Sequence, residues 1–221
     1  MIKILMFALS IFIGASTALA THEPYKAFSI GFLNHISRGA SNTSIITPGG
    51  SNTTVANFSQ SETNMVVSME TGSKKQGLTY DLGAFAEPGA LDRISFNTSY
   101  NVFGVGLSLY TIFVNLAYRE GRSNFRIGPN YSDPDLRIQG MSVSDQGLAG
   151  FQFSYGYQLS DKVEASLLLR HVEFQASARN SSDYIDFGNV RNDSIGLIIK
   201  YYFNNYGDLP GPKFPVPVFI R

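Results

Sequence analysis

Within Asn34-His35-Ile36-Ser37 an imidazole and a hydroxyl stand two residues apart. On an extended strand such residues share a face, roughly 6.6–7 Å apart along the chain. An imidazole that takes a serine proton creates a nucleophile for acyl-ester chemistry, provided the two come into hydrogen-bond contact. His35 and Ser37 are therefore the candidate catalytic pair. Spacing supplies no acid to orient the imidazole, and a polar strand end accounts for both residues equally well. We read the pair as structural. Of the other histidines, His22 and His171 are too distant in sequence for spacing to suggest a metal cluster with His35. The chain has no cysteine, so thiol nucleophiles, thiolate metal sites and disulfides are excluded. No glycine-rich phosphate motif or nucleophile elbow occurs, and no cofactor is expected.

A second constellation is ionic. Glu70, Asp81, Arg93, Arg119, Glu164, Arg170 and Lys200 fall at alternating positions opposite apolar residues. Strand parity puts them on one face. In a narrow closed barrel that face would be the lumen, which side chains fill. Isolated charges there would be costly, so the set should pair into a salt-bridged plug rather than line an ion path. Glu164 and Lys200 fall opposite one another if Val163 faces Tyr201, which makes them the first pair to expect.

These residues need strands to hold them. Between Asp193 and Phe203, Ile195, Leu197, Ile199, Tyr201 and Phe203 point one way, and Ser194, Gly196, Ile198, Lys200 and Tyr202 the other. The segment 147–159 alternates likewise and reaches the tight turn Ser160-Asp161-Lys162 before the return strand. The pattern predicts strands over 26–35, 63–70, 77–86, 93–101, 105–119, 147–159, 163–175 and 192–203. In 105–119, Leu107, Leu109 and Phe113 break the polar face, so a short buried helix is the alternative to the strand that β-branched and aromatic content favours. Long connections are expected at 37–61, 120–146 and 176–191, with a shorter one at 87–92. Tight turns are expected near 72–76, 102–104 and 160–162.

The termini add context. Residues 1–20 have the Lys3 n-region, the apolar run Ile4 to Ile13 and the site Ala18-Leu19-Ala20 of a cleavable signal peptide. Residues 21–203 form the barrel domain. Residues 204–221, with Pro210, Pro212, Pro215 and Pro217, form a Pro-rich C-terminal tail unsuited to a strand. The 17 basic and 17 acidic residues balance, which argues against a nucleic-acid partner. An exported chain, an even strand number and apolar faces that repeat point to an all-β, eight-stranded antiparallel up-and-down transmembrane β-barrel in the cell outer membrane of a Gram-negative bacterium.

Residues 145–203 resemble the small OmpA/OmpX-like outer-membrane barrels. The likeness rests on Tyr155-Gly-Tyr-Gln-Leu-Ser-Asp-Lys162, the return strand, a long loop and a closing strand that ends Tyr-Tyr-Phe203. It implies that Ser194, Gly196, Ile199, Tyr201 and Phe203 act as the assembly signal read by the barrel-insertion machinery. The family usually stops at its terminal aromatic, whereas this chain continues beyond Phe203. The implied partners are outer-membrane lipid and lipopolysaccharide, with host surface molecules at the loops. The implied role is non-catalytic: surface contact or adhesion, resistance to host defence, or membrane integrity. The competing readings are an outer-membrane lipid-modifying enzyme using His35 and Ser37, a small pore, and a soluble carrier with its aromatic faces turned inward.

Overall fold

The computed structural model describes residues 24–47, 50–94, 103–181 and 183–203, with side chains placed outside 39–60, 89–94, 103–105 and 183. Among the described residues there are nine strands: β1 (Pro24–Thr47), β2 (Gly50–Ser73), β3 (Gly77–Ile94), β4 (Phe103–Glu120), β5 (Ser123–Ile138), β6 (Ser142–Gly147), β7 (Ala149–Gln158), β8 (Val163–Arg179) and β9 (Asp183–Tyr202). Eight of them make the ring. Each of β1 to β4 pairs antiparallel with the next, β5 pairs with β7, β7 with β8 and β8 with β9. β9 returns to β1 and closes the barrel. The ninth is a broken end of the β7 strand. β6 pairs with β8 through Gly147↔Phe174 and β7 through Phe151↔His171, one residue out of step. Leu148 is that extra residue, a β-bulge whose amide donates to the Glu173 carbonyl at 3.0 Å.

One end of the barrel is tight. It holds the turns after Ser73, Glu120 and Gln158, the start of β1 and the end of β9. The β4–β5 hairpin loop is only Gly121-Arg122, and Gly121 takes a positive φ of 59°, which glycine adopts without steric cost. At the other end the strands run long. β1 and β2 keep one register from Pro24↔Ser73 to Thr47↔Gly50.

The strand number agrees with the sequence expectation, but its membership does not. The expected long connections at 37–61 and 176–191 are largely continuations of β1, β2, β8 and β9, and on β8 and β9 the inward residues Ala176, Ala178, Ile185, Phe187 and Val190 pack into an apolar core. The expected loop 87–92 lies within β3, and the expected turn 102–104 gives way to β4, which starts at Phe103. The expected strand 93–101 is corrected: Arg93 and Ile94 end β3, and 95–102 lies outside the described residues. The expected loop 120–146 contains β5. Pro129 and Pro134 obscured it. Pro129 does remove a donor, and the β4 ladder passes from Phe113↔Asn130 to Leu116↔Ile127 without pairs between. Gly128 lets the strands close there, since a Cβ would lie 1.9 Å from the Val114 carbonyl oxygen. Residues 105–119 are strand, not helix.

The outer wall is apolar. Phe28, Ile30, Phe32, Met65, Met69, Leu78, Val114, Leu116, Ile127, Phe153, Leu167, Leu169, Ile195, Leu197 and Ile199 all project outward and are exposed. Tyr80, Tyr118, Phe125, Tyr201 and Phe203 ring its tight end, and Tyr131 and Phe151 lie toward the other. Tyr110 and Tyr118 bracket the band on β4. Their eight-residue separation is roughly 27 Å along the strand, or about 20 Å along the axis at a strand tilt of about 40°. That matches an apolar band of about 25 Å between aromatic girdles. Above it the outward residues turn polar: Arg38, Asp133, Asp135, Arg137, His171, Glu173, Arg191 and Asp193. Within the apolar band the inward face is mostly polar and charged, with one apolar layer, which is the reverse of a soluble barrel.

Candidate functional site: a sealed lumen

Strand parity delivers the ionic residues to the interior in layers. Near the tight end lies a floor of three acids and three bases, Glu70, Asp81 and Glu164 with Arg119, Arg126 and Lys200, all buried. Arg119 donates from one terminal amino group to both Asp81 carboxylate oxygens, at 2.7 and 2.9 Å, and from the other to the Thr79 hydroxyl. Arg126 donates Nε–H to Asp81 at 2.8 Å. Its two amino groups take Glu164 in bidentate fashion at 2.7 and 3.0 Å. This fork geometry is available to guanidinium and not to ammonium. Lys200 donates to Glu70 and lies 3.7 Å from Glu164.

Neutral groups satisfy the remaining lone pairs. Tyr25 donates to Glu70 and Tyr202 to Glu164, each at 2.7 Å. Ser166 and Asn124 also donate to Glu164. The two tyrosine rings meet edge-on at 5.0 Å, and the Arg119 guanidinium lies 5.4 Å from the Tyr25 ring centre. Two glycines make room: a Cβ at Gly72 would lie 2.0 Å from an Asp81 oxygen, and one at Gly156 2.2 Å from a Glu164 oxygen. With charges balanced and hydrogen bonds made, burial costs far less than isolated ions would.

Above the floor, Leu33, Val66, Phe85, Phe113, Leu168 and Ile198 form an apolar layer. A cavity of about 20 Å³ lies where the two layers meet, lined by Ser29, Ser68, Ser154, Ser166 and Gln152 among others. It has room for about one water molecule. A second polar layer follows. Arg170 and Glu87 pair bidentately, and Arg170 lies 5.6 Å from the Phe85 ring centre. His35 faces Asn192 through Nδ1 at 2.8 Å and Glu87 through Nε2 at 3.2 Å. Beyond the apolar band of the outer wall, the interior becomes an apolar core of Leu107, Leu109, Leu136, Ile138, Val172, Phe174, Ile185, Phe187 and Val190. Leu107, Leu109 and Phe113 are therefore inward residues of a strand, serving these two apolar layers.

The pair His35 and Ser37 is buried on the lumen face. The Ser37 hydroxyl accepts from the Asn192 amide at 2.8 Å, so Asn192 stands between imidazole and serine. Both ring nitrogens face other residues. The acid beside His35 is Glu87, fifty-two positions along, which spacing could not reveal. Of the ionic set, Glu70, Asp81, Arg119, Glu164, Arg170 and Lys200 meet in the lumen, while the side chain of Arg93 lies outside the described ones. Sequence reasoning missed Arg126, Glu87, Tyr25 and Asn124. Arg126 was legible as the inward partner of Phe125 and Ile127. Among the described residues no cluster of His, Asp or Glu has metal-site geometry. The assembly-signal residues lie on β9, with Ser194 and Gly196 turned inward and Ile199, Tyr201 and Phe203 outward on the wall. The Phe203 amide donates to the Lys26 carbonyl at 2.9 Å.

The register expectation for Glu164 and Lys200 agrees with the β8–β9 ladder, where they face each other beside Val163↔Tyr201. Their ion pair is present at 3.7 Å, but it is the longer of the two that Lys200 makes. Lys200 turns across β1 to Glu70, because Arg126 already takes both Glu164 oxygens. A double-mutant cycle should therefore give a larger coupling for Glu70→Gln with Lys200→Met than for Glu164→Gln with Lys200→Met. Contacting pairs couple by roughly 0.5–3 kcal/mol. Urea unfolding in detergent measures both cycles, and equal couplings would reassign the lysine.

No family model matches the chain, and no curated protein matches it in sequence. Solved structures do match in shape. The outer membrane protein AlkL, determined in lipid bilayers, superposes with a TM-score of 0.55 at 12% identity, covering 86% of this chain and 94% of that one. OprG from Pseudomonas aeruginosa gives 0.46 at 13% identity over 83% and 98%. Neisserial surface protein A gives 0.43 at 12% identity over 80% and 96%. At such identity the likeness speaks for the fold, which is that of the small eight-stranded outer-membrane β-barrels.

Proposed function

We propose that this protein is a non-catalytic, closed barrel of the bacterial outer membrane that holds a rigid β-extension above the outer leaflet for surface contact. The observation that carries the reading is the layered interior. Two ionic layers and an apolar layer fill the span within the lipid band. Beyond the band, the apolar core fastens the ends of β4, β5, β8 and β9 together. Packing of this kind removes the freedom that long hairpins would otherwise have. A rigid surface binds with less ordering cost than a mobile loop. Export uses residues 1–20, cleaved after Ala20, and insertion uses the closing strand β9. Adhesion to host surface molecules is the role that suits such a platform.

Two measurements test the reading. Planar-bilayer recordings of the purified wild type should show no steady conductance, and a large, stable open channel would replace the sealed barrel with a pore. Bacteria that display the protein should attach to host cells or matrix more than cells without it. Shortening the β8–β9 hairpin between Ala176 and Asn189 should abolish that gain while the heat-modifiable gel shift of a folded barrel persists. Attachment that survives the shortening would remove the platform from the account.

A further inference from the structure

On the outer wall, β1 and β9 bring two arginines together. The ladder sets Arg38 directly opposite Arg191, and both side chains are exposed. Like charges directly opposed across a ladder destabilise a sheet unless an anion joins them. The acids nearby are largely engaged. Glu173 is shared between Arg191 and His171, each at 3.2 Å, and Asp193 lies 2.6 Å from His171. Among the described residues Arg38 joins no ion pair.

The height of the pair matters. One row below, Ile36 faces Asp193, and the next outward residue down β9 is Ile195, at the top of the lipid-facing band. Arg38 and Arg191 thus stand where lipid headgroups begin. Arg191 is already paired with Glu173, whereas Arg38 has no acid partner among the described residues, so the cation left to take an added anion is Arg38; outward on β5, Arg137 is paired with Asp135. Guanidinium groups take phosphate bidentately and suit a fixed anion better than ammonium does.

We propose that Arg38 and Arg191 form a binding site for the phosphate of a phosphorylated glycolipid in the outer leaflet. The assignment rests on the outer-membrane reading above and deepens it by naming a lipid headgroup and its two ligating residues. Bound phosphate would hold β1 to β9 at the closing seam, just below the register shift between Arg38 and Asn42.

The test uses the full mature chain folded into phosphatidylcholine vesicles, with or without phosphorylated lipid A, and with dephosphorylated lipid A as the control. The readout is the temperature at which the folded gel band is lost. Phosphorylated lipid A should raise that temperature in wild type, and the dephosphorylated lipid should not. Arg38→Gln breaks no ion pair and should fold normally in phosphatidylcholine, yet lose at least half of the shift. Arg38→Gln combined with Arg191→Gln should lose all of it. An unchanged shift in either variant would overturn the site. So would an equal shift produced in wild type by millimolar inorganic phosphate, which would mark a free-anion site. A wild type that enters no vesicle would sink the membrane reading itself. Entry without a phosphate-dependent shift sinks the arginine site alone.

Discussion

Arg126→Met should cost the barrel about 3–5 kcal/mol, the range for removing one partner from a buried ionic cluster. Arg126 is the bridge of the floor: it joins Asp81 on β3 to Glu164 on β8, and also donates to Tyr202 at 3.3 Å. Its loss leaves three acids facing two bases in a space without bulk water. Methionine fills much of the volume, so the effect reads the charge rather than a cavity. Arg126→Lys keeps the charge but cannot make two parallel bonds to Glu164 while holding Asp81, so it should recover only part of the loss. Glu164→Gln placed on Arg126→Met restores the charge balance and should be less damaging than Glu164→Gln alone. Equilibrium unfolding in urea checks each variant, with the midpoint moving and the slope held. A loss below about 1 kcal/mol, or strict additivity of the two substitutions, would show that the floor is not a coupled network.

The sequence revealed the wall better than the site. Alternation at 147–159 and 192–203 is strong because lipid on one side and a packed polar lumen on the other impose opposite demands on successive residues. The same parity placed Glu70, Asp81, Arg119, Glu164, Arg170 and Lys200 inside without any contact being known. Above the lipid band the outer face becomes polar and the inner face apolar, so the pattern inverts. Val172, Phe174, Ile185 and Phe187 sit in that zone. Residues 176–191 of that zone carry no lipid-facing signal, so their sequence resembles a loop. β5 was hidden by two prolines, although Phe125, Ile127 and Tyr131 held the alternation. Pair choice was not legible at all. Lys200 faces Glu164 by register yet hydrogen-bonds Glu70, because the decision belongs to Arg126, on a strand whose prolines mask its alternation. His35 likewise found its acid, Glu87, across the lumen rather than along the chain.

Depth in the membrane supplies the other large effect. Leu197→Arg should destabilise the folded barrel by roughly 2–4 kcal/mol, the cost of an arginine near the bilayer midplane on a lipid-facing strand. Leu197 is 67% exposed on the outer wall and lies midway between Tyr201 at the lower girdle and Asp193 above the band. Its ladder neighbours are Phe32 and Leu167, both lipid-facing, so no nearby acid can pair with the new charge. A long side chain can snorkel toward a headgroup, but from the midplane the reach is greatest and the relief least. Gln175→Arg is the control. Gln175 also projects outward, on β8, but above Glu173 and beyond the apolar band. The same arginine there should cost about 0–1 kcal/mol. Both variants keep the lumen intact, so a difference between them reports the solvent outside the wall. Folding into vesicles, followed by the gel shift across a urea series, measures it. A soluble barrel would bathe Leu197 in water, where arginine is at least as well tolerated as leucine. Equal behaviour of the two variants would therefore refute the lipid-facing wall, and with it the membrane span on which every other functional statement about this chain depends.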